Sequence, residues 1–201
     1  LYSDILNLAI AQKEYEQLYG VLSKVADVYE VSEELVKVLD KPHSREELIR
    51  RICETEDVMP YYETLMTMTS AELAKVLIEG LPARTDTLTA YFRNEFYALY
   101  PLYNFYFTRD AAVTLGNHAL ICRMANKVRM RESIIMDAIY RNSGAFDCTV
   151  IDANYLQTDK SEVIMEGGDI LVAREDILII GNGVIQPQGA AQNAGGLAVV
   201  H

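Results

Sequence analysis

The periodicity of the hydrophobic residues changes at Pro101, and this change constrains the fold more than any other feature of the sequence. Between residues 33 and 98 the apolar side chains recur at the three- and four-residue spacing of amphipathic helices. Beyond Pro101 the apolar runs are short, as in strands, and one longer amphipathic segment interrupts them. A chain with this change of pattern is predicted to have the α/β (α+β) fold class.

Helix-start signals divide the first half of the chain. Ser44 with Glu47, and Thr69 with Glu72, have the spacing of a capping box, in which a hydroxyl and a carboxylate satisfy free backbone donors. An opening helix is followed by an alternating stretch over residues 25–31 that predicts a strand. The helices predicted after it cover residues 44–55, 60–68, 69–79 and 86–98.

The second half is predicted to contain small strand–strand–helix–strand units. The predicted strands cover residues 105–108, 112–115, 119–121, 148–151 and 163–165, and the predicted helix covers 128–141. A hairpin is predicted from residues 170–173 and 177–180. From Ile185 the chain is rich in Gly, Ala and Gln and has no amphipathic period. That tail is open to three interpretations: a flexible end, a non-native addition, or separated pieces of sequence.

Charge and cysteine content exclude several classes of protein. The net charge of −11 argues against a nucleic-acid partner, which needs a basic surface to contact phosphates. No apolar run reaches the length of a membrane span, so we expect no membrane partner. Cys53, Cys122 and Cys148 lack metal-ligand spacing and are predicted to be reduced packing residues of a cytoplasmic protein.

Charged side chains cluster at the ends of the apolar segments beyond Pro101. They are Arg109, Asp110, Arg129, Arg131, Glu132, Glu166 and Asp169. Strand ends are where α/β folds usually place binding groups, and the glycine pair at 167–168 permits another chain or a ligand to approach closely. Two carboxylates that converge beside apolar surface are suited to binding a planar cation such as a guanidinium. The residues alone therefore indicate a cation-binding cleft.

Structural interpretations of the same residues stay open at this point. Arg109 and Asp110 are equally consistent with an ion pair that only stabilises the fold. The run at 166–169 is also typical of a hairpin turn, and the charges at 129–132 are typical of a solvated first helical turn. The aromatic residues at 100–107 are more often core than part of a ligand pocket.

Three motifs resemble those of the arginine deiminases. Residues 101–110, PLYNFYFTRD, resemble the family signature P-L-x-N-x-x-F-T-R-D, RMRE at 129–132 is similar to its R-x-x-E run, and EGGD at 166–169 resembles its E-G-G-D turn. The resemblance covers about residues 1–184. It implies the pentein, or α/β-propeller, fold of ββαβ modules with an inserted helical-bundle domain, here as a partial propeller. The implied divisions are 1–32 for the end of the first module, 33–98 for the helical domain and 99–152 for the second module. Residues 153–184 would start a third module, and 185–201 form an atypical tail.

The resemblance also implies roles for single residues. Asp110 is expected to bind the substrate guanidinium, and Glu166 to orient and support a catalytic histidine. Arg129 is expected to bind the substrate α-carboxylate, with Asn104 and Phe107 lining the pocket. The implied substrate is L-arginine, with no cofactor and no metal. In such enzymes a cysteine thiolate attacks the guanidinium carbon, ammonia leaves, and water releases L-citrulline from the thiouronium intermediate.

The chain departs from the family pattern in its last part. None of its three cysteines matches the family nucleophile, and Ile185 stands where the family has a second carboxylate-binding arginine. We therefore expect either a partial sequence or a truncated, inactive form that self-associates as a homo-oligomer. The alternatives are a related guanidine hydrolase or amidinotransferase, and a catalytically inactive fragment that acts as an interaction module.

Overall fold

The mixed α+β class predicted from the periodicity is confirmed. A computed structural model of the chain describes residues 7–83, 96–155, 157–158, 161–162, 164–174, 177–181 and 197–200. Within these ranges, helices dominate up to residue 79, and small sheets with two further helices follow. The described strands form sheets of two or three strands and no closed barrel.

The N-terminal helices follow the amphipathic pattern of the sequence. They are α1 (Leu8–Leu22), α2 (Val31–Leu39), α3 (Pro42–Glu56), α4 (Tyr62–Met66) and α5 (Ser70–Glu79), with a 3₁₀ turn at Met59–Tyr61 before α4. The capping box predicted at Thr69 is confirmed. The Thr69 hydroxyl accepts a bond from the Glu72 N–H at 3.3 Å, and the Thr69 N–H donates to the Glu72 carboxylate at 3.0 Å.

Two predictions for this part of the chain are wrong. The capping box at Ser44 does not form, because α3 begins earlier, at Pro42, whose fixed φ suits the first helical position. Ser44 is instead buried inside the first turn. The strand expected over residues 25–31 is absent: α2 begins at Val31, and the residues before it form turns and loop.

One long helix joins the N-terminal helices to the rest of the fold. This helix, α7 (Met130–Asn142), follows a short helix α6 (Thr108–Ala111) and confirms the helix predicted over 128–141. It packs against α2 and α3 on one side and against a three-stranded sheet on the other. Every residue from 131 to 139 is buried, including charged ones, because both sides of the helix are covered. One continuous hydrophobic core extends from α2, α3 and α5 into α7.

The sheet beneath α7 is a ββαβ unit. Its strands are β3 (Ala112–Leu115), β4 (His118–Ile121) and β5 (Thr149–Asp152), which confirms three of the predicted strands to within a residue or two. β3 and β4 form an antiparallel hairpin, and β5 lies parallel to β4 after the α7 crossover. Parallel strands need such a crossover, so the order of elements follows from the pairing.

A second sheet lies near the end of the chain. β8 (Ile170–Arg174) and β9 (Ile177–Gly181) form the predicted hairpin, and β10 (Leu197–Val200) pairs antiparallel with β9. The residues of the tail between 182 and 196 lie outside the described ranges, and the strand at its end carried no recognisable pattern in the sequence. The described residues also form two short antiparallel strand pairs: β1 (Leu81–Pro82) with β2 (Tyr97–Leu99), and β6 (Gln157–Thr158) with β7 (Ser161–Glu162).

Three other predictions need correction or lie outside the described residues. The strand predicted over 105–108 is wrong, because successive local turns carry this backbone: the Phe107 N–H donates to Asn104 and the Asp110 N–H to Phe107. Of the helix predicted over 86–98, residues 86–95 lie outside the description, and Tyr97 begins β2. Of the strand predicted over 163–165, residue 163 lies outside the described ranges; of the other two, only Met165 is paired, in an isolated bridge to Arg123.

Candidate active site

The three motif segments meet at one edge of the ββαβ sheet. The backbones of Arg123 and Met165 exchange two hydrogen bonds, of 3.0 and 3.1 Å, which draw the EGGD segment beside the end of β4. The Cys122 N–H donates to the Ala111 carbonyl at 2.9 Å, so α6 lies at the same edge. Gly167 sits against the backbone of Arg109 so closely that an added Cβ would overlap the carbonyl oxygen. The glycine is therefore needed for this approach of two segments.

Arg129 is the centre of the charged cluster. Its guanidinium lies 2.8 Å from Glu132, 3.2 Å from Asp110 and 3.6 Å from Glu166. The side chain is 14% exposed, and that of Glu132 is 1% exposed. Asp110 and Glu166 remain about a quarter exposed, so solvent reaches the cluster on their side. The structure thus brings three of the five predicted site residues, Asp110, Arg129 and Glu166, into direct contact.

The electrostatics of this cluster favour the charged form of Arg129. Burial by itself lowers the pKa of Arg129. The hydrogen bonds to Glu132 and Asp110 and the charges of Glu132 and Glu166 outweigh that effect, so the pKa is raised. Burial raises the pKa of Glu132, as do the charges of Asp110 and Glu166, and the Arg129 guanidinium opposes them. Three carboxylates around one guanidinium leave a net negative site.

Glu166 has further partners that fix its position. The Ala125 N–H donates to its carboxylate at 3.0 Å, and its own N–H donates to Asp169 at 3.2 Å. The EGGD segment forms a 3₁₀ turn, Gly167–Asp169, before β8, so the hairpin-turn interpretation of 166–169 is wrong. Arg109 and Asp110 have different partners: Arg109 donates to the Ile170 carbonyl, whereas Asp110 pairs with Arg129.

A cavity of about 440 Å³ adjoins Arg129 and Glu132. Asn104 lines it, as predicted for a pocket residue; the other described residues that line it are Tyr100, Pro101, Leu102, Tyr103, Asn126 and Val128. Phe107 is not among them. It is about half exposed, and its ring lies 3.9 Å from that of Tyr106, centroid to centroid. Apart from the buried Phe105, the aromatic side chains of this motif are largely exposed, so the core interpretation is wrong for most of them.

An ion pair beside the cluster was not predicted from the sequence. Arg131 is fully buried, forms an ion pair with Glu56 of α3 at 3.2 Å, and donates to the Tyr100 carbonyl. Burial lowers the pKa of Arg131 and raises that of Glu56. The interpretation of 129–132 as a solvated helical turn is therefore wrong. The only sequence signal was the R-x-x-E spacing, which places Arg129 and Glu132 on one side of a helix.

Two of the cysteines, Cys53 and Cys122, show no sign of an activated thiol. Burial raises the pKa of Cys53 to about 11 and that of Cys122 to about 12. The charges of Glu166 and Asp110 contribute to the shift of Cys122 after burial, and both oppose a thiolate.

No group of three or more His, Cys, Asp or Glu in the described ranges is arranged to hold a metal ion. Nor does any helix in those ranges combine the length and apolar character needed to cross a membrane.

Comparison with known proteins assigns the family. The family model "Arginine deiminase" matches residues 1–193. The chain belongs to the arginine deiminase family. Among curated relatives, it is 28% identical over 197 residues to proteins named arginine deiminase in Staphylococcus aureus strains JH9, Newman and Mu3. Each match covers 90% of this chain and 47% of the relative. The chain thus spans about half the length of the curated relatives that it matches.

Membership of the arginine deiminase family confirms the resemblance drawn from the three motifs. The roles of Asp110, Glu166, Asn104, Phe107 and Arg129 stay predictions.

Proposed function

We propose that this chain supplies the substrate-binding part of an arginine deiminase, which converts L-arginine to L-citrulline and ammonia. The observation that carries the proposal is the meeting of Asp110, Arg129 and Glu166 at one sheet edge, around a guanidinium that the protein itself provides. A site that already holds a planar guanidinium between carboxylates has the charge and geometry for the guanidinium of a substrate.

Asp110 is the proposed partner of the substrate guanidinium. Its carboxylate is partly exposed, and it faces Arg129 rather than a buried structural cation. Arg129 is the proposed partner of the substrate α-carboxylate, and the cavity lined by Asn104 adjoins it. Glu166 is proposed to orient the catalytic histidine; its two backbone hydrogen bonds hold it in place for that task. Phe107, about half exposed within the PLYNFYFTRD motif, is proposed to line the substrate pocket.

The geometry requires one rearrangement before substrate binds. The two charged ends of an extended L-arginine are roughly 7 Å apart, counted from ordinary bond lengths. Asp110 and Arg129 are 3.2 Å apart and neutralise each other. The substrate must therefore exchange with this internal pair, with its guanidinium taking Asp110 and its carboxylate taking Arg129.

The covalent steps need a thiolate that neither Cys53 nor Cys122 offers. In the proposed reaction the sulfur bonds to the guanidinium carbon, and the bond to one terminal nitrogen breaks to release ammonia. Water then replaces sulfur and leaves the ureido group of citrulline. We propose that this polypeptide binds L-arginine without converting it, because the pKa values of Cys53 and Cys122 are raised and none of its three cysteines matches the family nucleophile.

Calorimetry and a citrulline assay test this proposal together. The 201-residue protein is expected to bind L-arginine, Asp110→Ala to lose that binding, and neither to release citrulline. Glu46→Gln, which changes an exposed carboxylate paired with Arg50, is the matched control and should bind as the wild type does. Absence of binding in the wild type would refute the proposed site, and citrulline release abolished by Asp110→Ala would refute the lack of turnover.

The pentein propeller and its inserted helical domain are part of the same proposal. We infer that the observed ββαβ unit is one module of a pentein propeller, with the boundaries given above and the helical domain inserted between modules. Leu171 and Val172 on β8 are exposed, at 51% and 42%, which supports self-association as a homo-oligomer in the cytoplasm. Light scattering on the purified chain tests this, and a monomer at high concentration would overturn it.

A further inference from the structure

The guanidinium of Arg129 is held along one of its two edges by a single buried carboxylate. Nε of Arg129 donates to both oxygens of Glu132, at 3.1 and 3.2 Å, and Nη2 donates to one of them at 2.8 Å. A planar guanidinium presents two such edges, each able to bind a carboxylate through two N–H groups. Glu132 therefore occupies the Nε–Nη2 edge.

The other edge faces the open side of the cluster. Nη2 also donates to Asp110 at 3.2 Å, and Nη1 lies 3.6 Å from Glu166. These two carboxylates belong to different segments and are partly exposed, and neither binds Arg129 through two hydrogen bonds. The Nη1–Nη2 edge is consequently the one at which an incoming carboxylate exchanges with Asp110.

Glu132, unlike Asp110, cannot give up its contact with Arg129. It lies in the first turn of α7, whose two sides are covered by the N-terminal helices and by the ββαβ sheet, and its side chain is 1% exposed. A buried carboxylate that gave up its cation would be left uncompensated, at a cost that an exposed pair does not incur. Arg129 and Glu132 thus form a fixed unit, and the contact with Asp110 is the part that opens.

We propose that Glu132 is a positioning residue that holds the Arg129 guanidinium by one edge so that the other edge can bind the substrate α-carboxylate. This role rests on the proposed function, since it presumes an amino-acid substrate whose carboxylate reaches Arg129. Glu132 does not touch the substrate. It determines that the site distinguishes L-arginine from guanidinium compounds of the same length that lack the carboxylate.

Binding of two ligands by the full chain tests the proposal. L-Arginine and agmatine share the guanidinium and the aliphatic stem, but agmatine has no carboxylate. Calorimetry on Glu132→Gln is expected to show L-arginine binding weakened by roughly tenfold or more, the effect of losing a charged hydrogen-bond partner, with agmatine binding unchanged. In an Arg129→Ala background, Glu132→Gln should cause no further loss for L-arginine. Glu46→Gln on the exposed face of α3 is again the matched control.

A second measurement reports on the positioning without any ligand. Side-chain NMR of arginine shows whether rotation of a guanidinium is restricted, and Arg129→Ala identifies the signal. Rotation is expected to be slow in the wild type and fast in Glu132→Gln, while Glu46→Gln leaves the Arg129 signal unaltered. The rotation is measured on folded protein at one temperature, so a general loss of stability in Glu132→Gln would not by itself make the Arg129 guanidinium rotate faster.

The outcomes separate the two proposals. A wild type that binds neither ligand overturns the proposed function and the role of Glu132 in carboxylate binding with it. If wild type binds L-arginine but Glu132→Gln weakens both ligands equally, the positioning role alone is overturned. It is also overturned if the Arg129 guanidinium rotates as freely in the wild type as in Glu132→Gln.

Discussion

Gly167→Ala tests the contact that brings the EGGD segment to Asp110. The substitution adds one methyl group at a point where the two backbones touch. The new Cβ would lie 2.9 Å from the Arg109 carbonyl carbon and overlap its oxygen, although real Cβ atoms essentially never come within 3.0 Å of another heavy atom. The obstacle is backbone, which cannot rotate away as a side chain would.

The expected loss of stability follows from the displacement that this overlap requires. The segments must move apart by on the order of 1 Å, which strains the hydrogen bonds between Arg123 and Met165 and the pairing of β8. Overpacking of a well-packed site typically costs about 1–3 kcal/mol, and we expect about 3 kcal/mol here because no side chain can yield. The Arg129–Glu166 contact should lengthen with it, which weakens the charged cluster.

Urea unfolding followed by circular dichroism measures the effect. Gly168→Ala is the matched control, since the same methyl group in the neighbouring position would meet only the Asp110 carboxylate oxygen, at 3.3 Å. That side chain can move by a few tenths of an ångström, so we expect a loss below about 1 kcal/mol. Equal stability of Gly167→Ala and wild type, or equal losses in the two variants, would refute the reasoning.

Three further predictions concern other parts of the described structure. Glu56→Gln should destabilise the fold by about 3 kcal/mol in thermal unfolding, because it leaves the Arg131 charge buried without its partner. Thr69→Ala should cost about 1 kcal/mol near neutral pH. The hydrogen bonds of Thr69 lower the pKa of Glu72. The stability that these bonds contribute is therefore present above the unfolded-state pKa of Glu72 and is lost as the pH falls through its folded-state pKa. Cys53 and Cys122, with pKa values raised to about 11 and 12, should resist iodoacetamide in the native protein and react after unfolding, as mass spectrometry detects.

Each of these predictions has an outcome that contradicts it. A stability of Glu56→Gln within about 0.5 kcal/mol of wild type would mean that the ion pair contributes nothing net. A pH-independent difference between Thr69→Ala and wild type would show that Glu72 does not share the cap. Rapid alkylation of Cys122 in the folded protein would show an accessible thiolate and would reopen the question of turnover.

Some helices and strands could be predicted from the sequence and others could not, depending on whether their hydrogen-bond partners are signalled by the local residue pattern. β3, β4, α7 and the β8–β9 hairpin were predicted nearly to the residue, because their apolar pattern is the pattern of burial. The strand expected over 105–108 failed although its aromatic residues favour strands, because its N–H groups bond to carbonyls three residues back. β10 could not be predicted, since its pairing with β9 depends on a partner some twenty residues away.

The sequence by itself determined the fold class and the family of the protein, and it named the residues that are proposed to carry the chemistry. Periodicity and the capping signal at Thr69 indicated most of the described helices and the ββαβ order, and three short motifs were sufficient to indicate the arginine deiminase family. These are local properties: they depend on neighbouring residues and on residue types that a reaction requires, and both are readable along the chain.

Only the tertiary structure decided how the charged residues are partnered. The spacing of Arg129 and Glu132 indicated a helical pair, but not that burial between two layers makes Glu132 a fixed partner. Nor did the sequence show that Asp110 binds Arg129 rather than the adjacent Arg109. The energy of an ion pair depends on burial and on distances across the fold, and these exist only once α3, α7 and the sheet have packed together.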